Sequence, residues 1–209
     1  LELHLATLSG NRANGSGGAI FALSTVTAPF DLTLRIADTT ITENAAEAND
    51  NGSGDGGGIY LRRAGPGSVV VELQNSLIAG NLDAGPDHFP DFYVNFPGGV
   101  MLLSAGFNLI GSNAGSEALF PAGTPNAAGD LVGSSIAPLP ALLEPLADNG
   151  GGLPTHLPVV DSASWVVDQG DCLFAAHDQR GYVAPVSGQR AFDRPEVTNP
   201  ASGDLCDIG

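Results

Sequence analysis

The sequence predicts an all-β solenoid: short strands wound into stacked coils, ending in an irregular Pro/Gly-rich C-terminal cap. Three observations carry this. A phrase recurs at a roughly fixed spacing, strand-like alternation fills each copy, and the composition favours turns over helices. Gly 29 and Pro 15 in 209 residues mark many turns. Only 14% of residues are charged, against about 25% in an average domain, which argues against a long charge-laced helical surface. Hydrophobic content of 43% is enough for a real core.

The chain opens with Leu1-Glu2-Leu3-His4-Leu5, an alternation that reads as a strand already inside a fold. No signal peptide or transmembrane run is visible, so the expectation is a fragment or mature form of something longer. Leu5 to Ala13 then leads through a Gly/Ser turn into Gly17-Gly18-Ala19-Ile20-Phe21. Ala37 to Ala45 leads through an Asn/Gly/Asp turn into Gly57-Gly58-Ile59-Tyr60-Leu61, and a third copy begins at Leu73 and runs to Asn81. Asn11, Asn44 and Asn81 are spaced by 33 and 37 residues, and the Gly-Gly-x-Ile units by 39. Between the turns lie period-two runs such as Leu32-Leu34-Ile36 and Val69-Val71-Leu73. Such a unit buries its apolar face only against its neighbours. Asparagines recurring at one place per coil would stack their amides into a ladder. A β-sandwich is the alternative, but it does not account for the recurring phrase.

From about Ser135 the texture changes, with Pro138, Pro140, Pro145, Pro154 and Pro158 in close succession. Proline cannot donate to a ladder, so this stretch should cover the surface or the solenoid end. The expected division is residues 1–135 as coils and 136–209 as a capping region continuous with them. Cys172 and Cys206 are the two cysteines, both in this region. A disulfide between them would stabilise a segment with little core by roughly 3–4 kcal/mol and fits an oxidising compartment.

Several phrases carry a family resemblance. The repeats with Gly17-Gly18-Ala19-Ile20 and Gly57-Gly58-Ile59-Tyr60 resemble those of bacterial polymorphic outer-membrane-type β-helical surface proteins. The second half resembles the choice-of-anchor Q domain of secreted bacterial proteins. The matching phrases are Asn75 to Asn81, Gly106 to Gly111, Glu144 to Gly151 with Pro154-Thr155-His156, Asp178-Gln179-Arg180-Gly181, and Cys206-Asp207-Ile208-Gly209. The resemblance implies a right-handed parallel β-helix on an exported, extracellular or cell-surface protein, with no catalytic residues. One departure is His88-Phe89-Pro90-Asp91, where relatives often carry a cysteine.

The β-helix is also a scaffold for pectin-degrading lyases and hydrolases, which use paired carboxylates, or bound Ca²⁺ with a basic residue. There is no lysine to act as that base, and the Asn-Thr-Asp, Gly-His-Gly and Arg-Ile-Lys phrases of polygalacturonases are absent. The best cluster for acid/base work is Asp83, Asp87, His88 and Asp91. Phe92 and Tyr93, with Phe89, are the aromatics placed to stack on a sugar. The alternative is an extended polar loop whose aromatics cover the solenoid flank. The run Asn49-Asp50-Asn51-Gly52-Ser53-Gly54-Asp55-Gly56 offers oxygens to Ca²⁺, with Asp50 and Asp55 as side-chain ligands, although it lacks a closing bidentate glutamate. No other cofactor is expected. His156 and His177 read as structural histidines, and Arg180 as the partner of a nearby carboxylate.

A net charge of −16 repels phosphate backbones and anionic membranes, so neither nucleic acid nor membrane insertion is expected. The expected role is a non-catalytic structural, adhesive or filament-forming surface element. Its partners would be a glycan, a cell surface, or another copy meeting an open coil end. A polysaccharide lyase or hydrolase, or a carbohydrate-binding module, is the alternative.

Overall fold

The computed structural model describes residues 1–25, 32–49, 52–85, 88–95, 98–159, 163–171, 177–181 and 207–209. It is all-β, with no helix among them. The strands are β1 (Glu2–Ser9), β2 (Ile20–Ser24), β3 (Leu32–Thr42), β4 (Ala45–Ala46), β5 (Ile59–Arg63), β6 (Val69–Gln74), β7 (Leu77–Ile78), β8 (Leu82–Asp83), β9 (Phe92–Asn95), β10 (Val100–Ser104), β11 (Leu109–Ile110) and β12 (Leu131–Val132). Every ladder between these strands is parallel, which excludes the antiparallel sandwich.

The strands form a curled seven-stranded sheet, a three-stranded sheet ordered β2-β5-β9, and the pair β4-β8. Register follows the sequence repeat. Ile41 lies beside Leu8 and Ile78, Ile59 beside Ile20 and Phe92, and Ala45 beside Leu82. Strand β3 serves both arms of the curl: Leu32 to Ala37 pair with β6, and Thr40 and Ile41 pair with β7.

The bends fall at left-handed residues that share a register position. Leu5, Asp38, Asn75 and Phe107 have φ between 43° and 59° and form one corner of successive coils. Gly10, Glu43 and Gly80 form a second, and Gly17 and Gly56 a third. A left-handed residue reverses the strand's side-chain direction locally, so each corner turns the chain while keeping the core face inward. The recurring glycine pair also has a packing cause. A Cβ on Gly18 would strike the Gly57 carbonyl and the Ala45 backbone, and one on Gly57 would strike the Leu82 and Pro90 carbonyls. Adjacent coils approach there too closely for any side chain.

Inside the curl lies the main core, with Leu34, Ile36, Ile41, Ile59, Leu61, Val71, Leu73 and Ile78 almost fully buried. Phe120 joins this core and packs edge-on to Phe92, with ring centroids 5.2 Å apart. A second cluster lies on the outer side of the sheet. There Leu77, Leu109 and Leu131 are covered by Val166, Val167 and Ile208, with Leu139, Ala141 and Trp165 at its margin. The described parts of the C-terminal region therefore clothe the sheet's outer flank. They are pinned by Asn75, which accepts from the Asp171 N–H (3.0 Å) and whose carbonyl accepts from the Gly209 N–H (3.1 Å). Cys172 and Cys206 lie outside the described residues.

The repeated asparagines form a directed ladder. The Asn44 amide oxygen accepts from the Asn11 backbone N–H (3.0 Å) and the Asn11 amide (2.8 Å). The Asn81 oxygen accepts in the same way from Asn44, at 3.1 and 2.9 Å. The Asn44 amide also donates to the Leu8 and Thr42 carbonyls, and Asn44 is wholly buried. Asn44→Ala should therefore strand buried donors and acceptors in three coils and lower stability by about 2–4 kcal/mol. Urea denaturation measures this; a loss below about 0.5 kcal/mol would contradict the ladder's role.

Candidate functional site

Two surfaces follow from this framework: the loop joining β8 to β9, and the outer face of the β2-β5-β9 sheet. Among the described residues, neither brings Asp83 and Asp91 into an open groove.

Asp91 is buried, and the ladder ends on it. One carboxylate oxygen accepts from the Asn81 backbone N–H (3.1 Å) and the Asn81 amide (2.9 Å). The other accepts from the Ser112 N–H (2.7 Å). Asp91 thus clamps the coil of Asn81 to that of Ser112. Burial pushes its carboxyl up to about 6, against the opposing pull of the bonds from Asn81 and Ser112. Asp83 is also buried and organises its own loop, accepting from the Gly85 N–H and the Phe89 N–H, each at 2.9 Å. His88 is exposed, with Nδ1 3.4 Å from the Asp83 carbonyl. Asp87 lies outside the described residues.

A second ladder, which sequence reading did not identify, obeys the same rule. The Thr39 N–H donates to Ser76 Oγ (3.3 Å), the Ser76 N–H to Asn108 Oδ1 (3.0 Å), and the Asn108 amide to Asp130 Oδ1 (2.7 Å). It too ends on a buried aspartate, whose carboxyl burial pushes upward while bonds from Asn108 and Ser104 pull it down. Asn108 stands in the phrase Gly106 to Gly111, where a spacing of 32 from Ser76 was the available signal.

Of the aromatics, Phe92 faces inward and is fully buried, so its ring offers no face to a ligand. Tyr93 faces outward, as the alternating burial of β9 requires. It belongs to a stack along one register line: Phe21 on Tyr60 (5.2 Å, interplanar 6°), Tyr60 on Tyr93 (5.5 Å), and Tyr93 on Phe89 (4.5 Å, 17°). Phe21 is 51% exposed and ends the stack, whereas Tyr60 is 5% exposed.

In the calcium-like run, Asp50 lies outside the described residues. Asp55 is half-buried, and its main chain joins coils: its N–H donates to Ser16 Oγ (3.2 Å) and its carbonyl accepts from the Gly17 N–H (2.9 Å). Among the described residues no three His, Cys, Asp or Glu side chains cluster as metal ligands. His156 docks the C-terminal hairpin onto the first coil. Its Nε2 lies 2.8 Å from Ser9 Oγ and its Nδ1 2.7 Å from the Glu144 carbonyl. Thr7 Oγ1 donates to Gln179 (2.6 Å) beside it, and Arg180 pairs with Asp178 at 2.6 Å. His177 is exposed.

Residues 6–23 match the Chlamydia polymorphic membrane protein (Chlamydia_PMP) repeat. The matched stretch holds Asn11 of the ladder and Gly17-Gly18-Ala19-Ile20-Phe21, which enters the aromatic stack. No curated protein and no solved structure matches the chain.

The upward shift at Asp91 has a definite sign. Between about pH 4 and about pH 6 the folded chain holds a proton that the unfolded chain has released. Stability from this group is thus full below its unfolded value and is lost as pH rises through about 6. In Asp91→Asn the new amide would oppose the Ser112 N–H at every pH. The advantage of the natural chain over this variant should shrink by roughly 2 kcal/mol from pH 4 to pH 7. A pH-independent difference in melting would contradict the assignment.

Proposed function

We propose that the chain is part of a right-handed parallel β-helix displayed on a cell surface, where it acts as a non-catalytic structural or adhesive element. The match of residues 6–23 to a polymorphic membrane protein repeat carries this reading. Parallel ladders offset by 31 to 39 residues, with a final short step of 22, support it, as does the strong right-handed preference of parallel crossovers. The finer reading is a likeness to choice-of-anchor Q domains, whose phrases in this chain meet in space. Gly151 packs on the Arg180 backbone, and His156 and Gln179 reach the first coil.

The first coil is also the proposed contact for more coils or another copy. Leu3, Leu8 and Ala22 are only partly buried there, and the Phe21 ring is half-exposed. Asn11 Oδ1 accepts no hydrogen bond among the described residues. Asn113 to Phe120 pass beside β9, where the Gly115 carbonyl accepts from the Val94 N–H (3.1 Å). The ladders end there on carboxylates, which accept but do not donate.

An enzymatic role finds less support, because Asp83 and Asp91 spend their oxygens on backbone N–H groups. A panel of acidic and neutral polysaccharides, with and without Ca²⁺, should yield no new chain ends. Retention without cleavage that weakens in Phe21→Ala would assign adhesion to the aromatic stack. Cleavage by the natural protein that is lost in Asp83→Ala would overturn the non-catalytic reading.

A further inference from the structure

We propose that Glu47, Asp83 and the Gly54 carbonyl form a binding site for a hard divalent cation, with Ca²⁺ the best fit. Pairing of β4 with β8 sets Ala46 beside Asp83, so the next residue, Glu47, enters the loop that follows β8. Glu47 takes a left-handed φ of 50° and is completely buried. The Ser53 N–H donates to its Oε1 at 2.6 Å. Its Oε2 is buried with no hydrogen-bond partner among the described residues.

That orphan oxygen points at a cradle. The position a Cβ would take on Gly85 lies against Glu47 Oε2, 3.1 Å from Asp83 Oδ1 and 3.3 Å from the Gly54 carbonyl oxygen. Two carboxylates and a carbonyl thus gather around Gly85, whose missing side chain lets Glu47 Oε2 approach the Asp83 and Gly54 oxygens. Neither carboxylate has a salt-bridge partner among the described residues. Two buried like charges side by side are costly without a counter-charge. Oxygen ligands of this kind, mixing carboxylates with a backbone carbonyl, suit Ca²⁺, and water can complete its shell. The ligand set differs from the Asp50 and Asp55 pair that the sequence nominates. From that run only the Gly54 carbonyl enters the site, and the acids are Glu47 and Asp83.

The site has a structural consequence. It ties the turn after β4 to the loop after β8, the same loop that delivers Asp91 to the end of the asparagine ladder. Cation binding should therefore tighten coil stacking.

The test is titration of the full chain with CaCl₂ after EDTA dialysis, read by calorimetry and by thermal melting. The natural chain should bind one Ca²⁺ and melt at least about 4 °C higher in saturating Ca²⁺ than in EDTA. Glu47→Gln should bind at least tenfold more weakly and lose that gain, yet melt in EDTA no lower than the natural chain. Asp55→Asn should keep the gain. Absence of binding heat and of any melting shift in the natural chain would overturn the proposal, and so would full retention of both in Glu47→Gln. Anomalous scattering from Ca²⁺-soaked crystals locates the ion without any variant. A peak within about 2.6 Å of Glu47 Oε2 supports the site, and a peak elsewhere overturns it.

Discussion

One hydrogen-bonding rule organises this molecule: a side-chain oxygen in each coil accepts the backbone N–H of the equivalent residue one coil earlier. Asn44 does this for Asn11, and Asn81 for Asn44. Ser76 does it for Thr39, and Asn108 for Ser76. The turns need this, because a corner lifts N–H groups out of the strand ladders and buries them between coils. A buried donor without a partner costs far more than a satisfied one gains. The rule fixes register as well. A slip by one residue would present the wrong side chain to every corner and turn the core residues outward.

The rule also explains where the ladders stop. Each amide passes its hydrogen bond toward the C-terminus, and a ladder of amides can run on indefinitely. A carboxylate takes two or more donors and returns none, so Asp91 and Asp130 end the ladders. Burying those acids is unfavourable, which is why burial drives both carboxyls upward. Asn11 of the amide ladder, Phe21 of the aromatic stack and Leu3 at the core margin lie in one coil.

Much of this was legible in the sequence because it is periodic. Asn11, Asn44 and Asn81 announced the ladder, and Gly17-Gly18 with Gly57-Gly58 announced the close approach of coils. The remainder was hidden for physical reasons. Asp91 follows Asn81 by only ten residues, outside the coil period, so it read as an acid in a polar loop rather than as a ladder terminus. Phe92 and Tyr93 are adjacent in sequence, yet β geometry sends one ring into the core and the other to the surface. Glu47 gave no signal at all. Its importance comes from a left-handed turn and from a glycine 38 positions later, which only the β4-β8 pairing brings together. The Pro-rich texture after Ser135 marked a change of role, but not that Val166, Val167 and Ile208 would pack on the outer side of the sheet.

Side-chain amide exchange of Asn44 and Asn81, followed by NMR in D₂O, tests the ladder most directly. Both buried amides should exchange orders of magnitude more slowly than that of the partly exposed Asn126, and cross-relaxation should link Asn11 to Asn44 and Asn44 to Asn81. Free-chain exchange rates at Asn44 and Asn81, with no contacts between them, would contradict the rule from which the register, the corners and the ladder termini all follow.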